Sequence, residues 1–140
     1  MSVYLDASVL VAMFTDDPLS DRSDAAFSAH ATELLVSDFA AAEFSSSIAR
    51  HVRTSEMTPQ MARDVFSDFD IWTGRAAARV ETQSTDIRAA EAILRRLDLP
   101  LRAPDALHIA IAQRIGADLA TFDEKMAACA RALGAPLAAL

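Results

Sequence analysis

The chain has 140 residues, 52% of them hydrophobic, which is enough for one domain with a sizeable core and too few for two. Its net charge of -7 argues against a general electrostatic grip on nucleic acid unless something neutralises the acids. The single cysteine, Cys129, excludes an internal disulfide, no Cys/His pattern suggests zinc, and three glycines, Gly74, Gly116 and Gly134, leave none for a phosphate-cradling loop after the first strand.

Val3-Tyr4-Leu5 reads as a short buried strand that stops at a bare acid, Asp6, followed by two small residues. An unpaired carboxylate at the edge of a core costs several kcal/mol, roughly, so Asp6 needs a cation, a set of donors or a proton. In an open α/β sheet that position is the crevice at the carboxyl ends of the strands, where ligands bind. Ser8 is expected to cap the helix through Phe14. Asp6 also interrupts the first apolar run, no basic leader precedes it, and no uncharged stretch is long enough to span a bilayer. The expectation is a soluble cytoplasmic protein in a reducing compartment.

Asp16 and Asp17 belong to a polar turn, and an Ala-rich helix is expected from Ser20 to Ala31. Leu34 to Ser37 forms a second buried strand, after which Asp38 is placed as the cap of a helix running towards Arg53. Glu43 lies about a turn and a half into that helix among Phe39, Ala40, Phe44 and Ile48, on the same rim as Asp6. Thr58 caps and Pro59 opens the next helix, whose stripe of Met61, Val65, Phe69 and Trp72 is core or a dimer face and which Gly74 is expected to end. Ala78 to Glu81 forms a third strand. Ser84 or Thr85 then caps a helix through Arg96, with Ile87, Ala90, Ile93, Leu94 and Leu97 inward and Arg88, Glu91 and Arg95 outward.

Pro104 and Asp105 open a helix with small or branched residues on nearly every face, which marks it as buried; His108, one turn on, reads as a hydrogen-bonded core histidine. Gly116 ends that helix, Asp118 to Phe122 forms a fourth strand ending at Asp123, a last helix runs from Glu124 to Leu133, and Pro136-Leu137 forms a short edge strand. The alternation predicts an α/β fold: a central parallel sheet of four or five strands with helices on both faces.

Asp6, Asp105 and Asp123 thus stand beyond strand ends or at helix starts, with Glu43 a fourth. Carboxylates converging on one rim raise one another's pKa, and a divalent cation is the simplest compensation. Oxygen-only donors favour Mg²⁺ or Mn²⁺ over zinc, and such an ion bridges an acidic protein to an anionic substrate, which suits phosphodiester hydrolysis. Arg50, Arg53, Arg88, Arg95, Arg96 and above all Arg102 are available for phosphate contacts, and Ser8 and Thr121 are each two residues from an acid that they can hydrogen-bond.

Four stretches in register, Val3-Tyr-Leu-Asp-Ala-Ser8, Val36-Ser-Asp-Phe-Ala-Ala-Ala-Glu43, Arg102-Ala-Pro-Asp-Ala-Leu-His-Ile-Ala-Ile-Ala112 and Gly116-Ala-Asp-Leu-Ala-Thr-Phe-Asp123, resemble the PIN domain, in particular VapC-type toxins of toxin-antitoxin pairs. The resemblance covers essentially the whole chain. It implies a metal-dependent endoribonuclease with an acidic quartet on Asp6, Glu43, Asp105 and Asp123, a homodimer, RNA as substrate, and inhibition by a small antitoxin. Asp118 and Asp38 compete for the fourth acid and for the place of Glu43, but Asp118 opens its strand and Asp38 is better used as a cap. Two other readings stand beside it: an aspartyl-phosphate hydrolase with Asp6 as nucleophile, where Ser8 stands in place of the usual second Asp, and a non-catalytic binding module of the same architecture.

Overall fold

The computed structural model describes residues 1–27 and 32–140. Four strands, β1 (Ser2–Leu5), β2 (Glu33–Ser37), β3 (Ala77–Val80) and β4 (Asp118–Ala120), form a parallel sheet in the order β3-β2-β1-β4. The proposed edge strand at Pro136-Leu137 is a single parallel bridge between Leu119 and Leu137. Around the sheet lie α1 (Ala7–Phe14), α2 (Ser20–Phe27), α3 (Asp38–Arg53), α4 (Pro59–Ala76), α5 (Ser84–Leu94), α6 (Ala103–Ile115) and α7 (Glu124–Ala132). The expected continuation of α2 to Ala31 falls partly outside the described residues.

Alternation along the strands divides the core between the two faces of the sheet. Val3, Leu5, Leu34 and Val36 pack with Val9, Leu10, Phe44, Ile48 and Phe69 of α1, α3 and α4. Tyr4, Leu35 and Leu119 point the other way, to Ile109 and Ile111 of α6 and Met126 and Ala130 of α7. Because the chain leaves β1 for β2 on one side and returns to β4 on the other, the gap beyond β1 and β4 is the topological switch point, where open α/β sheets bind ligands.

Several local expectations are corrected. Asp6 itself, not Ser8, caps α1 by accepting Val9 N. Ser37, not Asp38, caps α3 by accepting Ala40 N, because Ser37 has the extended backbone that a cap requires; Asp38 is an exposed first-turn acid paired with Arg79. Gly74 does not end α4, which runs to Ala76 and passes directly into β3 one residue earlier than expected. In the α4 stripe Phe69 is buried and Val65 and Trp72 pack against the core, whereas Met61 is exposed. Helix α5 is capped at Gln83 and stops at Leu94; Ile87 and Leu97 face solvent, Leu97 because the chain has already turned through a positive φ of 65°. Strand β4 stops at Ala120, leaving Thr121 to Asp123 as the loop at the switch point.

One buried ion pair locks the α5–α6 unit. The Asp86 carboxylate, 1% exposed, takes the Arg114 guanidinium through both oxygens at 2.6 and 3.0 Å, and Arg114 also reaches the Glu81 carbonyl at 2.9 Å. Burial alone would raise the Asp86 pKa, but bonds from Arg114 and the Gln83 amide outweigh it and hold the carboxyl below its ordinary value.

Candidate active site

Asp6 ends β1 in the interior, 2% exposed. Its Oδ1 accepts Ser8 Oγ at 2.6 Å and Val9 N at 3.1 Å, and its Oδ2 accepts Thr121 Oγ1 at 2.5 Å. The same two hydroxyls hold the β4 loop: Ser8 Oγ accepts Phe122 N and Thr121 Oγ1 accepts Asp123 N, both at 3.0 Å. Ser8 and Thr121 therefore join Asp6 to the backbone of Phe122 and Asp123; Ser8 bonds the acid expected from its spacing, whereas Thr121 donates to Asp6 and not to the Asp123 carboxylate two residues on. All donors to Asp6 are neutral. Burial drives its carboxyl above the ordinary aspartate value, against the nearby His108 ring and the hydrogen bonds of Ser8, Thr121 and Val9.

Asp123 is exposed, caps α7 and accepts Met126 N at 2.9 Å. Asp105, in the first turn of α6, accepts Arg102 N at 3.2 Å while the Arg102 side chain remains exposed. Glu43 lies on α3 with its side chain about one-third exposed and pairs with His108 Nε2, one helical turn beyond Asp105 on α6. The structure thus couples Asp6 with Asp123, and Glu43 with the helix that carries Asp105. It does not close the four on one point: among the described residues no three His, Cys, Asp or Glu side chains are grouped to hold a metal ion.

In donor chemistry the residues nevertheless fit a hard divalent cation. Among the described residues, one carboxylate oxygen of each of Glu43, Asp105 and Asp123 makes no hydrogen bond, and Asp6 offers a buried carboxyl whose charged form a cation would favour.

Residue-by-residue reading missed the buried hydrogen-bonded line behind this rim. Tyr4 Oη lies 2.7 Å from Ser37 Oγ and 2.8 Å from His108 Nδ1, and all three residues are buried. The signal was there in part, since His108 falls one turn after Asp105 and Tyr4 two residues before Asp6, on the same side of β1. Of the arginines assigned to phosphate, Arg95 and Arg96 are held in exposed ion pairs with Glu91 and Asp98; Arg50, Arg53, Arg88 and Arg102 are exposed.

The family profile of the PIN domain matches residues 3–132. The chain belongs to the PIN-domain family. It is 27% identical over 127 residues to ribonuclease VapC3 of Pyrobaculum aerophilum, a match that covers 91% of this chain and 93% of that protein. Its fold is shared with Mycobacterium tuberculosis VapC20, a toxin that cleaves the sarcin-ricin loop, at a TM-score of 0.73 and 15% identity over 91% of this chain and 94% of that one. The toxin-antitoxin complex VapBC2 of Rickettsia felis, solved on a promoter DNA fragment, gives 0.71 and 17% identity over 98% and 97% of the two chains. Among the described residues no helix is long and apolar enough to cross a membrane.

Proposed function

We propose that this PIN-domain protein is an endoribonuclease, the toxin of a toxin-antitoxin pair, with Asp6, Glu43, Asp105 and Asp123 as its acidic site. The observation that carries the reading is Asp6: a buried carboxylate at the switch point, held by neutral donors only and pushed towards protonation by burial. The similarity to ribonuclease VapC3 along nearly the whole of both chains supports RNA as the substrate.

Asp6, Glu43, Asp105 and Asp123 would hold Mg²⁺ or Mn²⁺, which when bound supplies a hydroxide-generating, charge-neutralising centre for phosphodiester hydrolysis. Ser8 and Thr121 fix the Asp6 carboxylate plane and tie the β4 loop to it, so that Asp6 and Asp123 are presented together. Arg102, anchored by its backbone to Asp105, carries an exposed guanidinium for a substrate phosphate. An open rim of this kind admits single-stranded or looped RNA more readily than a closed duplex.

An antitoxin is assigned as partner on the likeness to toxin-antitoxin complexes, including FitAcB of Neisseria gonorrhoeae and VapBC-1 of nontypeable Haemophilus influenzae. A homodimer is proposed as well, and the exposed Met61, Ile71, Ile87 and Leu97 offer apolar surface for association. The working compartment proposed is the cytoplasm, where the single Cys129 stays reduced. The aspartyl-phosphate alternative is not favoured, because three donors and 2% exposure leave Asp6 poorly placed to attack a phosphorus in line.

The test is incubation of the purified chain with a pool of structured RNAs, with Mg²⁺ or Mn²⁺ and with chelator, beside Asp6→Asn. Cleavage that needs both metal and Asp6 is expected. Cleavage retained in Asp6→Asn would remove Asp6 from the site, and absence of both cleavage and metal binding in the unmodified chain would favour a non-catalytic binding module.

A further inference from the structure

Behind the acidic rim lies a line of three buried polar side chains, each from a different element. Ser37 caps α3, the helix that carries Glu43; Tyr4 stands on β1, two residues before Asp6; His108 stands on α6, three residues after Asp105. They are 0%, 0% and 1% exposed, and the line ends at the Glu43 carboxylate on the rim.

The hydrogens along this line can be assigned by counting. Ser37 Oγ accepts Ala40 N at 2.9 Å, and its other partner among the described residues is Tyr4 Oη, so donation to Tyr4 is the arrangement that gives the Ser37 hydrogen an acceptor. Tyr4 is a phenol and carries its one proton at neutral pH. With Ser37 donating to it, Tyr4 must donate to His108 Nδ1. Nδ1 is then an acceptor, the imidazole carries its one proton on Nε2, and that proton faces Glu43 Oε1. Every donor in the line has one acceptor, and no buried side-chain nitrogen or oxygen among the described residues is left without a partner.

We infer that His108 is a positioning residue: held by Tyr4 and Ser37 in the neutral Nε2–H form, it fixes Glu43 through Oε1 and leaves Oε2 turned to use at the acidic site. The same line ties together β1, α3 and α6, which carry Asp6, Glu43 and Asp105, so the relative placement of three of the four acids depends on it. The phenol of Tyr4 lies within reach of this role only because β1 alternation turns it to the α6 face, away from the side chains of Val3 and Leu5. This inference rests on the assignment of Glu43 to the acidic site.

The first arm of the test is nitrogen NMR of histidine-labelled, metal-free protein, which needs no activity. One of the three histidines, identified by its loss in His108→Gln, is expected as a fixed Nε2–H tautomer that relaxes towards a mixture in Tyr4→Phe. An Nδ1–H tautomer or a freely exchanging one in the unmodified chain would overturn the inference. The second arm is Mn²⁺ calorimetry on variants shown by circular dichroism to be folded. His108→Leu is expected to weaken binding about 10–100-fold, while His108→Gln, whose amide N–H replaces Nε2–H, stays within about threefold of the unmodified chain. Equal affinity of His108→Leu and the unmodified chain would overturn it too. If the unmodified chain binds no Mn²⁺, the acidic-site reading fails on its own, and the tautomer still decides whether the line exists as described.

Discussion

Asp6 and Asp86 are both buried, at 2% and 1% exposure, and each accepts a backbone N–H at the start of a helix, yet their surroundings push them in opposite directions. Asp86 has a guanidinium on both oxygens, and its carboxyl is held below the ordinary value; Asp6 has two hydroxyls and an amide, and burial takes it above. A buried acid with its own cation is complete and serves to lock α5 to α6. A buried acid supplied only with neutral donors is incomplete, and it stands where the sheet topology opens to ligands. The difference separates the carboxylate that locks the fold from the one proposed for the acidic site, without reference to any relative.

Substituting each acid separates these roles. Asp86→Ala leaves Arg114 without its partner in a partly buried position, and unfolding in urea should show a loss of about 3 kcal/mol, with cleavage unchanged while the protein remains folded. A loss under about 0.5 kcal/mol would mean that the pair contributes nothing beyond a surface bridge. Asp6→Asn keeps an excellent helix cap and removes the charge, so the same urea experiment at neutral pH should show a gain of about 0.5–2 kcal/mol together with loss of activity. A clear loss of stability instead would mean that Asp6 is structural, like Asp86.

Titration extends the comparison with opposite signs. The Asp86 contribution, from a depressed folded pKa, is present above the unfolded aspartate value and is lost as pH falls through the folded one. The Asp6 contribution, from a raised folded pKa, is present below the unfolded value and is lost as pH rises through the folded one. Stability measured against pH should therefore lose its acid-side rise in Asp86→Ala and its fall towards neutrality in Asp6→Asn. The smallest effect belongs to Asp38→Ala, which removes only a half-exposed pair with Arg79 and should change stability by about 0–0.5 kcal/mol; a loss above about 1 kcal/mol would return the α3 cap to Asp38 rather than Ser37.

The contrast also shows what was legible in the chain and what was not. A short apolar run stopped by an acid is a local pattern, and it located Asp6; strand and helix alternation located the sheet and, with it, the rim. The Ser8–Asp6 contact was legible for the same reason, two residues apart, whereas Thr121, two residues from Asp123, donates to Asp6 across 115 residues, which spacing does not show. Asp86 passed unnoticed because an acid in the first turn of a helix reads as an ordinary cap, and its partner Arg114 lies 28 residues further on. The Tyr4–His108 bond, across 104 residues, is equally beyond any window of periodicity. Ile87 and Leu97 were assigned inward by helical spacing, which assumes that the helix continues and that its apolar face is covered; the helix ends at Leu94, and both residues face solvent.

The proposed role of Asp6 as a cation-binding carboxylate is tested by calorimetric titration of Mn²⁺ into the metal-free chain and into Asp6→Asn. Binding in the unmodified chain that disappears in a fully folded Asp6→Asn is the expected result. Mn²⁺ binding of equal affinity in both proteins would contradict it.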